Sequence, residues 1–243
     1  MNYQRHHATT LCDRVFDLLE RTEYRCAISD VDKTAIYRLR YDAYLREGAI
    51  EPNESRMFCD AYDASPNVWI LGMHIDGELA ASIRFHFASD ERERIPACDV
   101  FGDILGPDLK LGRSVLDPTR FVANLEHARA FPEMPFLVLR TGMLAGGYFD
   151  PFYMLATVRT EHQAFYKRVF GYAPLSEARH YPSLKKPISC MALRYRERLH
   201  HVVEKYPFFG SCAEERDRLF CVPSNSGTPG PRYAAAAQRA VAR

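Results

Sequence analysis

The sequence predicts an α/β fold with a mixed central sheet flanked by helices. Val68 to Ile75 and Glu78 to Phe87 are apolar runs joined by Asp76-Gly77, the strongest short signal for a β-hairpin. Further on, runs of strand length alternate with runs of helical period. These are Phe136 to Tyr148, Phe152 to Val158, His162 to Val169 and Ile188 to Tyr195. Such alternation implies crossovers in a partly parallel sheet. Between the two patterns, Gly112 to Asn124 reads as a strand that carries Asp117 and Arg120 among Val115, Leu116, Phe121 and Val122.

Each element has a local reason. Leu11, Val15, Leu18 and Leu19 repeat as the inner face of an amphipathic helix over Leu11 to Arg21. Tyr24 to Ile28 is a short strand. Ser29 or Asp30 then caps a helix from about Lys33 to Arg46, with Ile36, Leu39 and Ala43 inward and Gly48 as its stop. Ala49 to Asn67 is irregular, punctuated by Pro52, Asn53, Ser55, Ser65 and Pro66. Ala88 to Arg113 is a polar insertion with a short helix around Cys98 to Leu105, and Leu125 to Pro135 is a connection. Phe136 to Tyr148 is closed by Gly146-Gly147, and His162 to Val169 ends at Phe170-Gly171-Tyr172. Arg196 to Lys205 is an appended surface helix. Pro223 to Pro231 has linker composition, and the last 20 or so residues are expected to pack poorly. The expected organisation is an N-terminal helix (1–22), a catalytic-size domain (23–206) and a C-terminal helical extension, partly flexible (207–243).

Composition excludes several classes. The 243 residues carry a net charge of +1, with no basic excess of the kind nucleic acid selects. The seven cysteines include no Cys-x-x-Cys pair, so neither a zinc site nor a disulfide framework is indicated. No metal is expected. Reduced cysteines, the absence of an apolar run of membrane-spanning length and a polar Met1 to Thr10 together give a cytoplasmic expectation.

Charge inside apolar elements marks the candidate site. A buried charge is costly unless paired. Asp117 and Arg120 lie three apart in the central strand, Arg84 stands between Ile83 and Phe85, and Arg40 and Tyr44 share a helix face. Asp60 and Asp63 face the same way if the chain between them makes a helical turn. Surface ion pairs and a solvated acidic loop are the plain alternatives. A second enzymatic reading pairs Cys59 with His86 or His74 as nucleophile and base.

Taken in order, Leu39-Arg40-Tyr41-Asp42-Ala43-Tyr44, Asp60-Ala61-Tyr62-Asp63, Ser82-Ile83-Arg84-Phe85 and Gly112 to Asn124 resemble the acyl-homoserine-lactone synthases and N-acyl amino acid synthases. These are branches of the GNAT acyltransferase fold, and the resemblance covers roughly Tyr24 to Tyr195. It implies a GNAT-like fold and an N-acyltransferase that moves a long-chain acyl group from acyl-carrier protein to the amine of an amino acid. Lactone or ornithine-lipid synthesis is the alternative, and a degenerate domain that binds carrier protein or lipid is the non-enzymatic one. The chain departs from the family at two points. Asp117 stands where the family usually has glutamate, and Ile50 stands where it has tryptophan, which counts against lactone synthesis.

By the same resemblance, Asp117 and Arg120 are catalytic, with Asp117 reaching the amine through a water. Arg40, Tyr44, Asp60, Asp63 and Arg84 bind the amine substrate. The phosphopantetheine arm of the carrier lies against Phe121, Val122 and Ala123 on one strand and Ala156, Thr157 and Val158 on the next, across a gap between them. Arg129, Arg159, Lys167 and Arg168 dock the acidic carrier. Asn124 to Pro132 contains no glycine, whereas a glycine-rich loop there would cradle the pyrophosphate of CoA, so CoA is the less favoured donor. Pro118 removes a backbone donor and predicts a bulge or an edge in the central strand.

Overall fold

A computed structural model describes residues 10–181 and 187–225. Among these residues seven strands form one sheet in the order β1-β2-β3-β4-β5-β7-β6. They are β1 (Thr22–Cys26), β2 (Val68–Ile75), β3 (Glu78–Ala88), β4 (Val115–Ala123), β5 (Tyr153–Val158), β6 (Ala173–Pro174) and β7 (Ser189–Leu193). The first four pair antiparallel, β4 and β5 pair parallel, and β7 pairs antiparallel with β5 and β6. This is the GNAT-like mixed sheet that the sequence predicts. Asp76 and Gly77 take positive φ of 51° and 86°, the backbone that a two-residue hairpin turn between twisted strands requires.

The helices are α1 (Leu11–Glu20), α2 (Asp30–Arg46), α3 (Cys98–Lys110), α4 (Leu125–Ala130), α5 (Met134–Phe149), α6 (Gln163–Phe170), α7 (Tyr195–Lys205) and α8 (Ala213–Phe220). Ser29 caps α2 by accepting from the Asp32 amide. On one face of the sheet, Trp69, Phe85 and Phe87 meet Tyr148 and Phe149 of α5 and Phe220 of α8 in one aromatic core. On the other face lie α2, whose Ile36 packs on Val68 and Ile70, and α3, whose Phe101 and Leu105 pack on Leu155 and Cys190.

Several sequence expectations need correction. Gly146 and Gly147 do not close α5; they lie inside it, and Asp150 at φ 49° caps it. The reason is packing. A Cβ on Gly146 would sit 2.4 Å from the Tyr195 ring, and one on Gly147 2.8 Å from Arg216. The connection after β4 contains α4, with Asn124 as its cap. Helix α3 runs five residues beyond Leu105, through Pro107, and is bent at Phe101. The bulge that Pro118 predicts in the central strand is present, two residues on, at Arg120-Phe121, which together oppose Ile83; the edge alternative does not apply, because β4 is central.

The start of the C-terminal extension is firmly packed. Phe208, Phe209, Leu219 and Phe220 are buried, and Trp69 Nε1 donates to the Phe220 carbonyl at 2.9 Å. Pro223 and Ser224, read from sequence as linker, are also buried. The Ser224 amide donates to Val68 O at 2.9 Å and its hydroxyl accepts from the Ile70 amide at 2.8 Å. These bonds cover the part of β2 that β1 leaves unpaired beyond Leu71. The rest of the expected linker and the poorly packed end lie outside the described residues.

Candidate active site

The sheet is split at its centre. β4 and β5 pair only at Val115–Tyr153 and Leu116–Met154, and beyond these residues the two strands part. A cavity of about 850 Å³ occupies the gap. All six residues expected along the donor cleft line it: Phe121, Val122, Ala123, Ala156, Thr157 and Val158. On the far side it is walled by Leu139 and Gly142 of α5 and by Phe165, Tyr166 and Phe170 of α6. The volume is in the range of sites that enclose a sizeable ligand.

The charged wall of this cavity is built by the bulge. Arg120 has φ 56°, a left-handed conformation that costs a residue with a Cβ about 1–3 kcal/mol unless its surroundings hold it. Asp60 holds it: Arg120 Nη2 and Nε donate to Asp60 Oδ2 at 2.6 and 3.2 Å. The guanidinium also lies over the rings of Phe58 (4.8 Å) and Tyr44 (5.7 Å). Arg84 Nη1 donates to Asp60 Oδ1 at 2.6 Å, and its Nε donates to Thr119 Oγ1 at 3.0 Å. Arg84 Nη1 also stands 3.0 Å from Asp63 Oδ1, which accepts from Arg40 Nη1 at 2.8 Å.

The two aspartates are presented by a short 3-10 turn, Ala61–Ala64, closed by a capping box. The Asp60 carboxylate accepts from the Tyr62 amide, and Asp63 accepts from the Asp60 amide. The helical turn that would align them is therefore present. Burial pushes the Asp60 carboxyl upward, but Arg84 and Arg120 outweigh it and hold it well below the usual carboxylate range. Asp63 is lowered in the same way, burial being outweighed by Arg40 and Arg84. Both are ionised, and three guanidiniums share two carboxylates.

Asp117 is not part of this network, which joins Asp60, Asp63, Arg84 and Arg120; of these four only the two arginines line the cavity, with the two aspartates behind them. The Asp117 side chain is fully buried, is not on the cavity wall, and makes no ion pair with Arg84 or Arg120 among the described residues. Oδ2 accepts from the Ala97 amide at 2.8 Å, while Oδ1 has no partner among the described residues. Burial raises its carboxyl to about 7, only partly countered by the Ala97 amide and by Arg84. Pro96 and Ala97 do line the cavity, so Asp117 sits directly behind them. Its cross-strand partner is His86, fully buried and pushed down to about 3 by burial and then by Arg84, hence neutral. His86 Nε2 donates to Tyr62 O at 3.0 Å and so braces the acidic turn.

The remaining expected residues fall as follows. Arg40 is fully buried behind the wall, and Tyr44 lines it. Arg159 lines the cavity and pairs with Glu47 at 3.2 Å, while Arg129, Lys167 and Arg168 are exposed. The cysteine-nucleophile reading fails. Desolvation and then Asp63 push the Cys59 thiol up, away from thiolate, the Nε2 of His86 is committed to Tyr62, and His74 lies opposite Glu23 of β1 and bonds no cysteine among the described residues. Sequence reasoning missed Phe58, Thr119 and Tyr181, which touch or line the charged end. Phe58 and Tyr181 lie in irregular stretches with no periodicity to read.

A sequence profile of the N-acyl amino acid synthase FeeM family matches residues 35–194. The chain belongs to that family. Its match spans β2 to β7 and every charged residue of the site. Membership makes the protein an acyltransferase acting on an amine. The solved structure of FeeM, an N-acyl amino acid synthase from uncultured soil microbes, superposes with a TM-score of 0.62 at 15% identity, over 73% of this chain and 92% of that one. The acyl-homoserine-lactone synthase LasI gives 0.54 at 13% identity, over 70% and 88%. The CoA-dependent acyl-homoserine-lactone synthase MesI gives 0.53 at 17%, over 72% and 87%. At these identities the superpositions speak for a common fold. No curated protein sequence matches the chain. Among the described residues, no helix is long and apolar enough to cross a membrane.

Proposed function

We propose that this FeeM-family enzyme transfers a long-chain acyl group from acyl-carrier protein to the α-amine of an amino acid, by direct aminolysis. The observation that carries the proposal is the cavity: an apolar gap in the sheet that meets Arg84 and Arg120 at one wall. Among the described residues that line the cavity, Arg46, Arg84, Arg120 and Arg159 stand against one acid, Glu47, and Arg84 and Arg120 share Asp60 behind them. A carboxylate-bearing amine suits such a wall, and Arg120 can grip it through a charge-assisted contact.

The amine nitrogen attacks the thioester carbon as a C–N bond forms and the C–S bond breaks. The nitrogen gives up a proton and the departing sulfur takes one up. Backbone N–H groups of β4 beyond Leu116, where β5 no longer pairs, are the donors available to the oxyanion. Asp117, at about 7, has the affinity a general base needs near neutrality, and it accepts the proton through water from behind Pro96 and Ala97. No acyl-enzyme forms: among the described residues no serine or cysteine is hydrogen-bonded to a histidine, and burial and then Asp117 push the nearby Cys98 thiol up to about 12, away from thiolate.

Carrier protein is favoured over CoA by the start of α4. The Asn124 side chain already accepts from the Glu126 and His127 amides at 2.9 and 3.2 Å, and Glu126 adds a negative charge. A pyrophosphate would need those amides and would be repelled by that charge. The test is mass spectrometry of products formed by purified protein with single amino acids and palmitoyl-carrier protein or palmitoyl-CoA. N-palmitoyl amino acid from the carrier at well above the CoA rate is expected. Equal or better use of CoA would overturn the donor assignment, and no amide from either would overturn the reaction.

A further inference from the structure

Helix α5 contains three interior glycines, although glycine is the poorest non-proline residue for a helix interior. Two are explained by packing: a Cβ on Gly146 or Gly147 would collide with Tyr195 or Arg216. Gly142 is different. It has ordinary helical φ, and a Cβ there would meet nothing nearer than Phe85 Cε1 at 4.0 Å. Neither backbone conformation nor a neighbouring side chain requires glycine at this position.

What Gly142 borders is the cavity. Pro135, Leu139 and Gly142 are spaced four and three apart and form the one stripe of α5 that lines it. The next residue on that stripe, Gly146, is covered by the Tyr195 ring and does not line the cavity. Gly142 is therefore where the cavity stops along α5. The walls around the gap, Met154, Phe165, Phe170 and Tyr172, are apolar or aromatic.

We propose that Gly142 sets the length of acyl chain that the enzyme accepts, by leaving open the volume a side chain would fill. This rests on the acyl-transfer reading above and adds to it the residue that gauges the chain. A larger side chain at 142 excludes the terminal methylenes of a long acyl group and leaves shorter groups and the amine wall untouched. Each excluded methylene lowers binding roughly fourfold.

The experiment compares wild type with Gly142→Ala, Gly142→Val and Gly142→Leu. It measures kcat/KM over donors from eight to sixteen carbons, and melting temperature for each variant. Gly142→Leu should lose at least about tenfold with the longest chains and stay within about threefold on the shortest. Gly142→Ala should shift the optimum less and melt at or above wild type, because alanine favours the helix. The same chain lengths as free fatty acids, displacing a fluorescent fatty-acid probe, report the cavity even if no amide forms. An unchanged length profile in both assays, or an equal loss at every length with native melting, would overturn the role of Gly142. Absent amide formation by wild type alongside length-dependent displacement would instead overturn the acyl-transfer reading and leave the gauge standing.

Discussion

The acidic turn and the carboxylate of β4 are two solutions to one problem, a negative charge held out of water. Asp60 and Asp63 are surrounded by three guanidiniums and stay ionised. Asp117 has one amide and a single distant arginine to help it, and burial raises it to about 7. Environments that push like groups apart in this way separate their roles. The first pair is too weakly basic to take a proton but holds arginines in place. Asp117 is poised to exchange a proton near neutral pH, and the Ala97 amide alone does not offset its burial.

The largest expected effect breaks the first side of the comparison. Asp63→Ala removes the one carboxylate that Arg40 pairs with among the described residues, where its Nε and Nη2 are already unpartnered. Losing one member of a buried pair typically costs about 3–5 kcal/mol. Chemical denaturation should show a loss of that order, and a loss below about 1 kcal/mol would mean that the network is not what holds the turn.

Asp117→Asn should do the opposite and stabilise the fold. In the folded chain Asp117 keeps its proton to about pH 7, while an unfolded aspartate ionises near 3.8. Folding therefore loses stability through this group as pH rises from about 4 to 7, and asparagine removes that loss while keeping an acceptor for the Ala97 amide. The gain in melting temperature should be near zero at pH 4 and largest at pH 7 and above. A gain that does not grow with pH would contradict the raised affinity.

Arg120→Ala sharpens the comparison on the binding side. It removes a charge-assisted contact and should raise KM for the amino acid by about 10–100-fold. A fall in kcat with unchanged KM would place Arg120 elsewhere in the reaction. The smallest effect belongs to neither carboxylate: reversing the charge at Arg159 and Arg168 should raise KM for carrier protein several-fold at low ionic strength and less in salt. No change at low ionic strength would remove this docking patch.

Much of this was legible in the residues. The Asp76-Gly77 hairpin, the Ser29 cap and the strand-helix alternation are local signals, and the structure follows them. Asp60 and Asp63 could be paired with Arg84 and Arg120 because unpaired charge in apolar elements is so costly. The position of Asp117 was not legible. Whether a strand carboxylate faces a cavity or an amide behind it depends on where Ala97 comes to lie, and Ala97 belongs to an insertion without periodicity. The packed start of the C-terminal extension escaped for a related reason. Pro223 and Ser224 have linker composition, yet they bury themselves on β2 through backbone bonds that composition does not reveal.

The most direct measurement is kcat/KM for amide formation across pH 5 to 9, with wild type and Asp117→Asn on the same acyl donor and amino acid. The account predicts that wild-type activity contains a rise through about pH 7 as Asp117 ionises. It predicts that Asp117→Asn, although more stable, loses about 10²–10⁴-fold together with that rise. Full activity in Asp117→Asn, with the rise through pH 7 intact, would contradict it.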